Sequence, residues 1–242
     1  MSFNANDREG GGNYIPTEAL DAASYPGRVV QLVLMGVQPQ RPYQGQAKAP
    51  AEMLYVGYEL SHEFMPDADG NPDVTKPRWV GEDFPFYSLD ADRAKSTLRY
   101  NAIDNQGVAG GDWLKVMTMP CNITLSKEPR KGKEGQFTNY VQNVGLPVQV
   151  PGYTQPELVN PPRIFDIDEP DMEVFAKLPE WLRGKLTTNL NYNGSVLQAA
   201  VLALGGEAPA PTTQASTAPP PQPSAPPAPP APPAPPAPNA AG

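Results

Sequence analysis

Two short stretches of the chain concentrate groups that can hold an anion and a flat ring together. The first, Gly36–Pro50 (GVQPQRPYQGQAKAP), carries Arg41, Lys48 and Tyr43 and has no Asp or Glu. The second, Lys127–Gly135 (KEPRKGKEG), sets Lys127, Arg130, Lys131 and Lys133 against Glu128 and Glu134. Guanidinium and ammonium groups form charge-assisted hydrogen bonds to phosphate or carboxylate oxygens. A nearby tyrosine adds an aromatic face for stacking. The rest of the chain is acidic: 18 Lys and Arg against 26 Asp and Glu give a net charge of −8. Such a balance argues against general coating of polyanions and leaves a local basic groove as the way to hold one. The plain alternative for the second stretch is a solvated hairpin tip.

Catalytic chemistry is poorly supplied. The chain has one His, His62, and one Cys, Cys121. These two alone make neither a disulfide framework nor a zinc site. No glycine-rich phosphate loop ends in Lys-Ser or Lys-Thr, and no Ser-His-Asp arrangement has a local signature. Asp166, Asp168, Glu169, Asp171 and Glu173 could be read as a divalent-cation site. The reading we favour is a helix N-terminal region, where acids suit the helix dipole. The expectation is therefore a non-enzyme with no catalytic residue, metal or cofactor. The opening MSFNANDREGGGNY does not read as a secretory signal, and no apolar run is long enough for a membrane span. With a single Cys, a reducing cytoplasm fits best.

The hydrophobic pattern supplies the elements that must carry the two loops. Arg28–Met35 is short and β-branched, as in a strand. Met53–Phe64 alternates, with Leu54, Val56, Tyr58, Leu60 and Phe64 on one face and Tyr55, Gly57, Glu59, Ser61 and Glu63 on the other, which predicts a half-buried strand. Arg78–Tyr87 predicts a third strand, with Val80, Phe84 and Phe86 opposite Trp79. Ser88–Tyr100 then shifts to a helical pattern, with Ser88 as cap and acids in the first turn. Asp112–Met119 predicts a short helix, Cys121–Lys127 a fourth strand and Gln136–Val144 a fifth.

Three strands, a helix and two strands is the order of a five-stranded Greek-key barrel of the oligonucleotide-binding (OB) type, so the expected fold class is mainly β. Short helices at Glu169–Lys177 and Pro179–Leu190, carrying Met172, Phe175, Leu178, Trp181, Leu182 and Leu186, are expected to pack on the barrel. The expected organisation is a flexible arm over 1–24, the barrel over 25–150, and a connection with helices over 151–204. A disordered proline-rich tail follows over 205–242. From Pro219 the tail repeats Ala-Pro-Pro, which favours polyproline II.

In a barrel of this order the two basic loops flank one face. Binding a single strand needs cations for phosphates and exposed rings for bases. The residues assigned to that interface are Arg28, Arg41, Tyr43, Lys48, Tyr55, Arg78, Trp79, Lys127, Arg130, Lys131, Lys133 and Tyr140. The opposing possibility is that the C-terminal helices cover Tyr55 and Trp79 as a second core layer.

Three stretches, YPGRVVQLVLMGVQPQRPYQGQ, KPRWVGEDFPFYSLDADRAKSTLRYNAID and PELVNPPRIFDIDEPDMEVFAKLPEWLRGKLTTNLNYNGS, resemble the single-stranded-DNA-binding proteins of tailed bacteriophages. The resemblance runs from about Tyr25 to Ser195. It implies an OB fold and binding of single-stranded DNA during replication or recombination in the cytoplasm of an infected bacterium. It also implies replication or recombination proteins as partners, a possible homo-oligomer and no membrane. One departure stands out: many such proteins end in an acidic tip that recruits replication enzymes, whereas this sequence ends PAPNAAG. The rival from another class is an interaction module, such as an inhibitor of a host enzyme, with the proline-rich tail binding a partner.

Overall fold

The computed structural model describes residues 18–205; most of the expected flexible arm and nearly all of the expected proline-rich tail lie outside the described residues. Within them the chain forms β1 (Ser24–Gln38), β2 (Ala51–Pro66), β3 (Pro72–Pro85), α1 (Lys95–Ile103), a single 3₁₀ turn (Trp113–Val116), β4 (Pro120–Pro129), β5 (Phe137–Gly145), β6 (Arg163–Phe165), α2 (Met172–Lys177), α3 (Glu180–Thr187) and α4 (Val196–Ala203). The main strands form one curled antiparallel half-barrel in the order β3-β2-β1-β4-β5. Strand β1 holds it together. Its start, Ser24–Arg28, pairs with β4; its far edge pairs with β2; and Gln31–Val33 pairs in parallel with β6.

The curl closes on a core that follows the alternation. Val29, Leu32, Leu54, Val56, Tyr58, Leu60, Phe84, Ile123 and Leu125 point inward, and Tyr100 and Ile103 of α1 plug one end with Trp113 and Val116. A second core lies elsewhere on the sheet. There Val33 and Met35 meet Phe165, Ile167, Leu178, Leu182, Leu186, Tyr192 and Leu197 from the C-terminal segment. Two register shifts in β1, at Val29/Gln31 and Leu34/Val37, let this one strand feed both cores. The second shift contains Gly36 at φ +68°, a left-handed position that favours glycine.

The second core changes the character of β2. The expectation of one solvated face does not hold, because Gly57 and Glu59 on that face are buried. Glu59 is tied down on all sides: its carboxylate accepts from Trp79 Nε1 (3.0 Å), Val159 N (2.6 Å), Asn160 N (3.2 Å) and Asn160 Nδ2 (2.7 Å). A buried carboxylate is tolerated when its lone pairs are satisfied in this way.

The first helix also begins later than its pattern suggests. It starts at Lys95, and its N-cap, Ala94, makes no side-chain hydrogen bond. The Ser88 hydroxyl is engaged with Asp90 (3.0 Å), and residues 88–94 form successive turns. Short polar side chains of this kind compete with helix formation by bonding locally. Asp171, by contrast, caps α2 through Glu173 N and Val174 N. Asp166 accepts from Asp168 N, and no cluster of His, Cys, Asp and Glu that could hold a metal is found among the described residues.

Candidate nucleic-acid interface

At the ends of the sheet order, β3 and β5 approach one another without pairing. One end of this seam is bridged by side chains. Arg99 of α1, buried, donates from Nε to Glu82 Oε1 (2.8 Å) on β3, and from Nη1 and Nη2 to Asn143 Oδ1 (2.8 Å) and Gln142 O (3.0 Å) on β5. Lys95 reaches the same carboxylate at 2.6 Å, and the Tyr58 hydroxyl donates to it at 3.2 Å.

The rest of the seam is a groove of about 940 Å³ along the free edge of β3 from Trp79 to Asp83. Its opposite wall is Thr138–Val141 of β5. The first basic loop, through Gln40, Arg41 and Lys48, and α3, through Trp181 and Lys185, complete its lining. Four cations, Arg41, Lys48, Lys95 and Lys185, line it against two carboxylates, Glu82 and Asp83. Lys95 is held by Glu82, and Lys185 by Asp83 at 2.5 Å. Arg41 and Lys48 have no carboxylate partner among the described residues. Lys48 instead stands 4.9 Å from the centre of the Tyr43 ring. Tyr43 is carried on a tight turn, in which Tyr43 and Gln46 exchange backbone hydrogen bonds of 2.9 Å and Gln44 and Gly45 take positive φ.

The aromatic groups of the groove are not equally available. Tyr140 is 54% exposed and Trp181 is 51% exposed. Tyr55 is half-buried: its ring meets Trp181 edge-on at 5.5 Å, and its hydroxyl lies over Gly81, where any Cβ would collide with it. Trp79 is also half-buried. The Arg163 guanidinium of β6 sits 4.8 Å from its ring centre, and its indole N–H is spent on Glu59. The C-terminal segment therefore covers part of the face assigned to Tyr55 and Trp79, and offers Trp181 in exchange.

Burial, and after it the Asp83 carboxylate, pushes the Tyr55 phenol up to about 12. A tyrosine is neutral at physiological pH at either value, so the shift shows only at alkaline pH. The fold favours the protonated form. Its contribution to stability is complete below the ordinary tyrosine value near 10 and is lost as pH rises towards about 12. Tyr55→Phe should remove a late step near pH 12 from the alkaline phenolate titration; an unchanged curve would refute this placement.

Of the residues assigned from sequence, the groove brings together Arg41, Lys48, Tyr55, Trp79 and Tyr140, with Tyr43 supporting Lys48. Arg28 is elsewhere, gripping the connection after the barrel. It donates to Thr118 O, Gln155 O and Pro156 O at 2.7–3.0 Å and pairs with Glu157 at 2.9 Å. Arg78 donates to Phe64 O and Glu18 O. Lys127 pairs with Asp21 at 3.0 Å and lies over the Phe137 ring. Arg130, Lys131 and Lys133 are exposed on the turn between β4 and β5 and do not line the groove.

Lys95, Trp181 and Lys185 were not assigned from sequence. A signal for the last two was present in the spacing of α3. Leu182 and Leu186 are four apart and buried, so Trp181 and Lys185, each one position earlier, form the neighbouring stripe. Comparison with protein-family models, with curated proteins and with solved structures gives no match to this chain.

Proposed function

We propose that the chain is a non-enzymatic single-stranded-DNA-binding protein of the tailed-bacteriophage type, acting in replication or recombination in the cytoplasm of an infected bacterium. The observation that carries this reading is the groove itself, where Arg41, Lys48, Trp181 and Tyr140 converge on one open channel. Cations that neutralise phosphates and rings that stack on bases are the two parts of sequence-tolerant single-strand binding. The sheet order, with α1 between β3 and β4, supports reading the half-barrel as an OB fold whose β3–β5 seam is open. In this reading Lys95 and Lys185, already paired with carboxylates, shape the walls. Arg130, Lys131 and Lys133 extend the positive surface beyond the groove, for incoming or outgoing phosphates. Replication or recombination proteins would be partners of the DNA-bound form.

The test is a salt titration of labelled oligo(dT) against a duplex of equal length. The single strand should bind far better, and the logarithm of its affinity should fall linearly with the logarithm of salt concentration through counterion release. Equal binding to duplex, or no binding to either at low salt, would end this proposal.

A second reading has one observation in its favour. The edge of β3 that lines the groove has no strand partner among the described residues, and such an edge can accept an extended peptide as an added strand. In that case the chain is an interaction module, and binding of a peptide with no binding of oligo(dT) would select it.

A further inference from the structure

We propose that the track for a single strand continues out of the seam groove, past Lys48, onto a second stacking platform at Tyr87. This rests on the single-strand reading of the groove. The groove does not stop at the first basic loop. Gln40 and Lys48 also line a trough of about 490 Å³ floored by Ala49, Pro50, Phe86 and Tyr87. Phe86 and Tyr87 in turn form one wall of a further hollow of about 480 Å³ beside Leu89, Gly110 and Gly111. Each cavity shares lining residues with the next, Gln40 and Lys48 between the first two and Glu52, Phe86 and Tyr87 between the last two.

Its chemistry suits a nucleotide. Lys48 stands at the junction with no carboxylate partner among the described residues, placed to bridge to a phosphate linking the two parts. Tyr87 is 45% exposed just after the end of β3, and its backbone N–H donates to Ser96 Oγ at 3.3 Å, which helps fix the residue. Phe86 behind it is held by a backbone hydrogen bond to Glu52 O of 2.8 Å. Glu52 also lines the trough, and its carboxylate repels phosphates there. The base therefore occupies Tyr87 while the backbone keeps to the Lys48 side.

The test measures binding of labelled oligo(dT) of about 4 and about 16 nucleotides, the range spanned by single OB domains, to the full chain and to Tyr87→Ala. The wild type should gain affinity with length. Tyr87→Ala should bind the short oligonucleotide as the wild type does and the long one roughly tenfold more weakly, within the range of one lost stack. Tyr87→Phe should restore the long-oligonucleotide affinity. Thermal melts of both variants should match the wild type. Unchanged binding of the long oligonucleotide overturns the proposal, and so does equal weakening of both lengths. If the wild type binds neither length, the groove reading fails, and the Tyr87 track with it.

Discussion

Arg99→Ala should destabilise the fold by about 3–5 kcal/mol, the usual cost of breaking a buried ion pair by removing one partner. Arg99 is a clasp where backbone pairing is missing. From α1 it holds Glu82 on β3 and Asn143 and Gln142 O on β5. Without it, the buried Glu82 carboxylate loses a donor, which is costly, while Asn143 and Gln142 O on the exposed part of β5 exchange theirs for water. Glu82 keeps Lys95 at 2.6 Å, which places the loss towards the lower end of the range. Chemical denaturation should show the change in midpoint, and for a domain of this size the melting temperature should fall on the order of 10 °C. Arg99→Lys should recover only part of the loss, since an ammonium cannot span two strands as a planar fork does. A loss under about 1 kcal/mol would show that the seam is held by other contacts.

Trp181→Ala should be the most damaging single change to strand binding that leaves the fold in place. Trp181 is half exposed at the α3 wall, braced by Tyr55 at 5.5 Å and with Lys185 Nζ 5.6 Å from its ring centre. Loss of one base stack costs about 1–3 kcal/mol, or roughly 5- to 150-fold in Kd. The edge-on contact with Tyr55 accounts for about 0.5–1.5 kcal/mol of stability at most. Trp181→Phe should keep most of the affinity. Fluorescence anisotropy with labelled oligo(dT) measures the binding, and a Kd within twofold of the wild type for Trp181→Ala would remove this residue from the interface.

The sequence was most informative where one physical rule acted alone. The alternation of Leu54, Val56, Tyr58 and Leu60 predicts the inner core, and these residues fill it. The acid-free setting of Arg41 and Lys48 singles out two residues that line the groove. The pattern misleads where a distant segment intervenes. Glu59 alternates like a solvent-facing residue, yet a segment a hundred positions later buries it and supplies its donors. Arg28 and Arg78 read as groove cations because strand alternation does not reveal that backbone carbonyls elsewhere consume their guanidinium groups. Ser88 has the residue type of a helix cap but closes a turn with Asp90 instead. Trp181 was grouped with the core because an apolar residue near Leu182 and Leu186 resembles them in composition; its position one residue earlier turns it to the groove.

The chain has three tryptophans, and the fold has separated them. Trp113 lies buried among Phe84, Phe86 and Tyr100, with no hydrogen-bond partner for its indole nitrogen among the described residues, while Trp79 and Trp181 line the groove. The protein therefore carries its own pair of optical channels. A quencher dissolved in water reaches the half-exposed Trp181 in the groove and misses Trp113 in the core. Emission that survives the quencher follows unfolding, and emission that the quencher removes follows occupancy of the groove. Both can be read from one unlabelled sample, so a variant that empties the groove is distinguished from one that loosens the sheet.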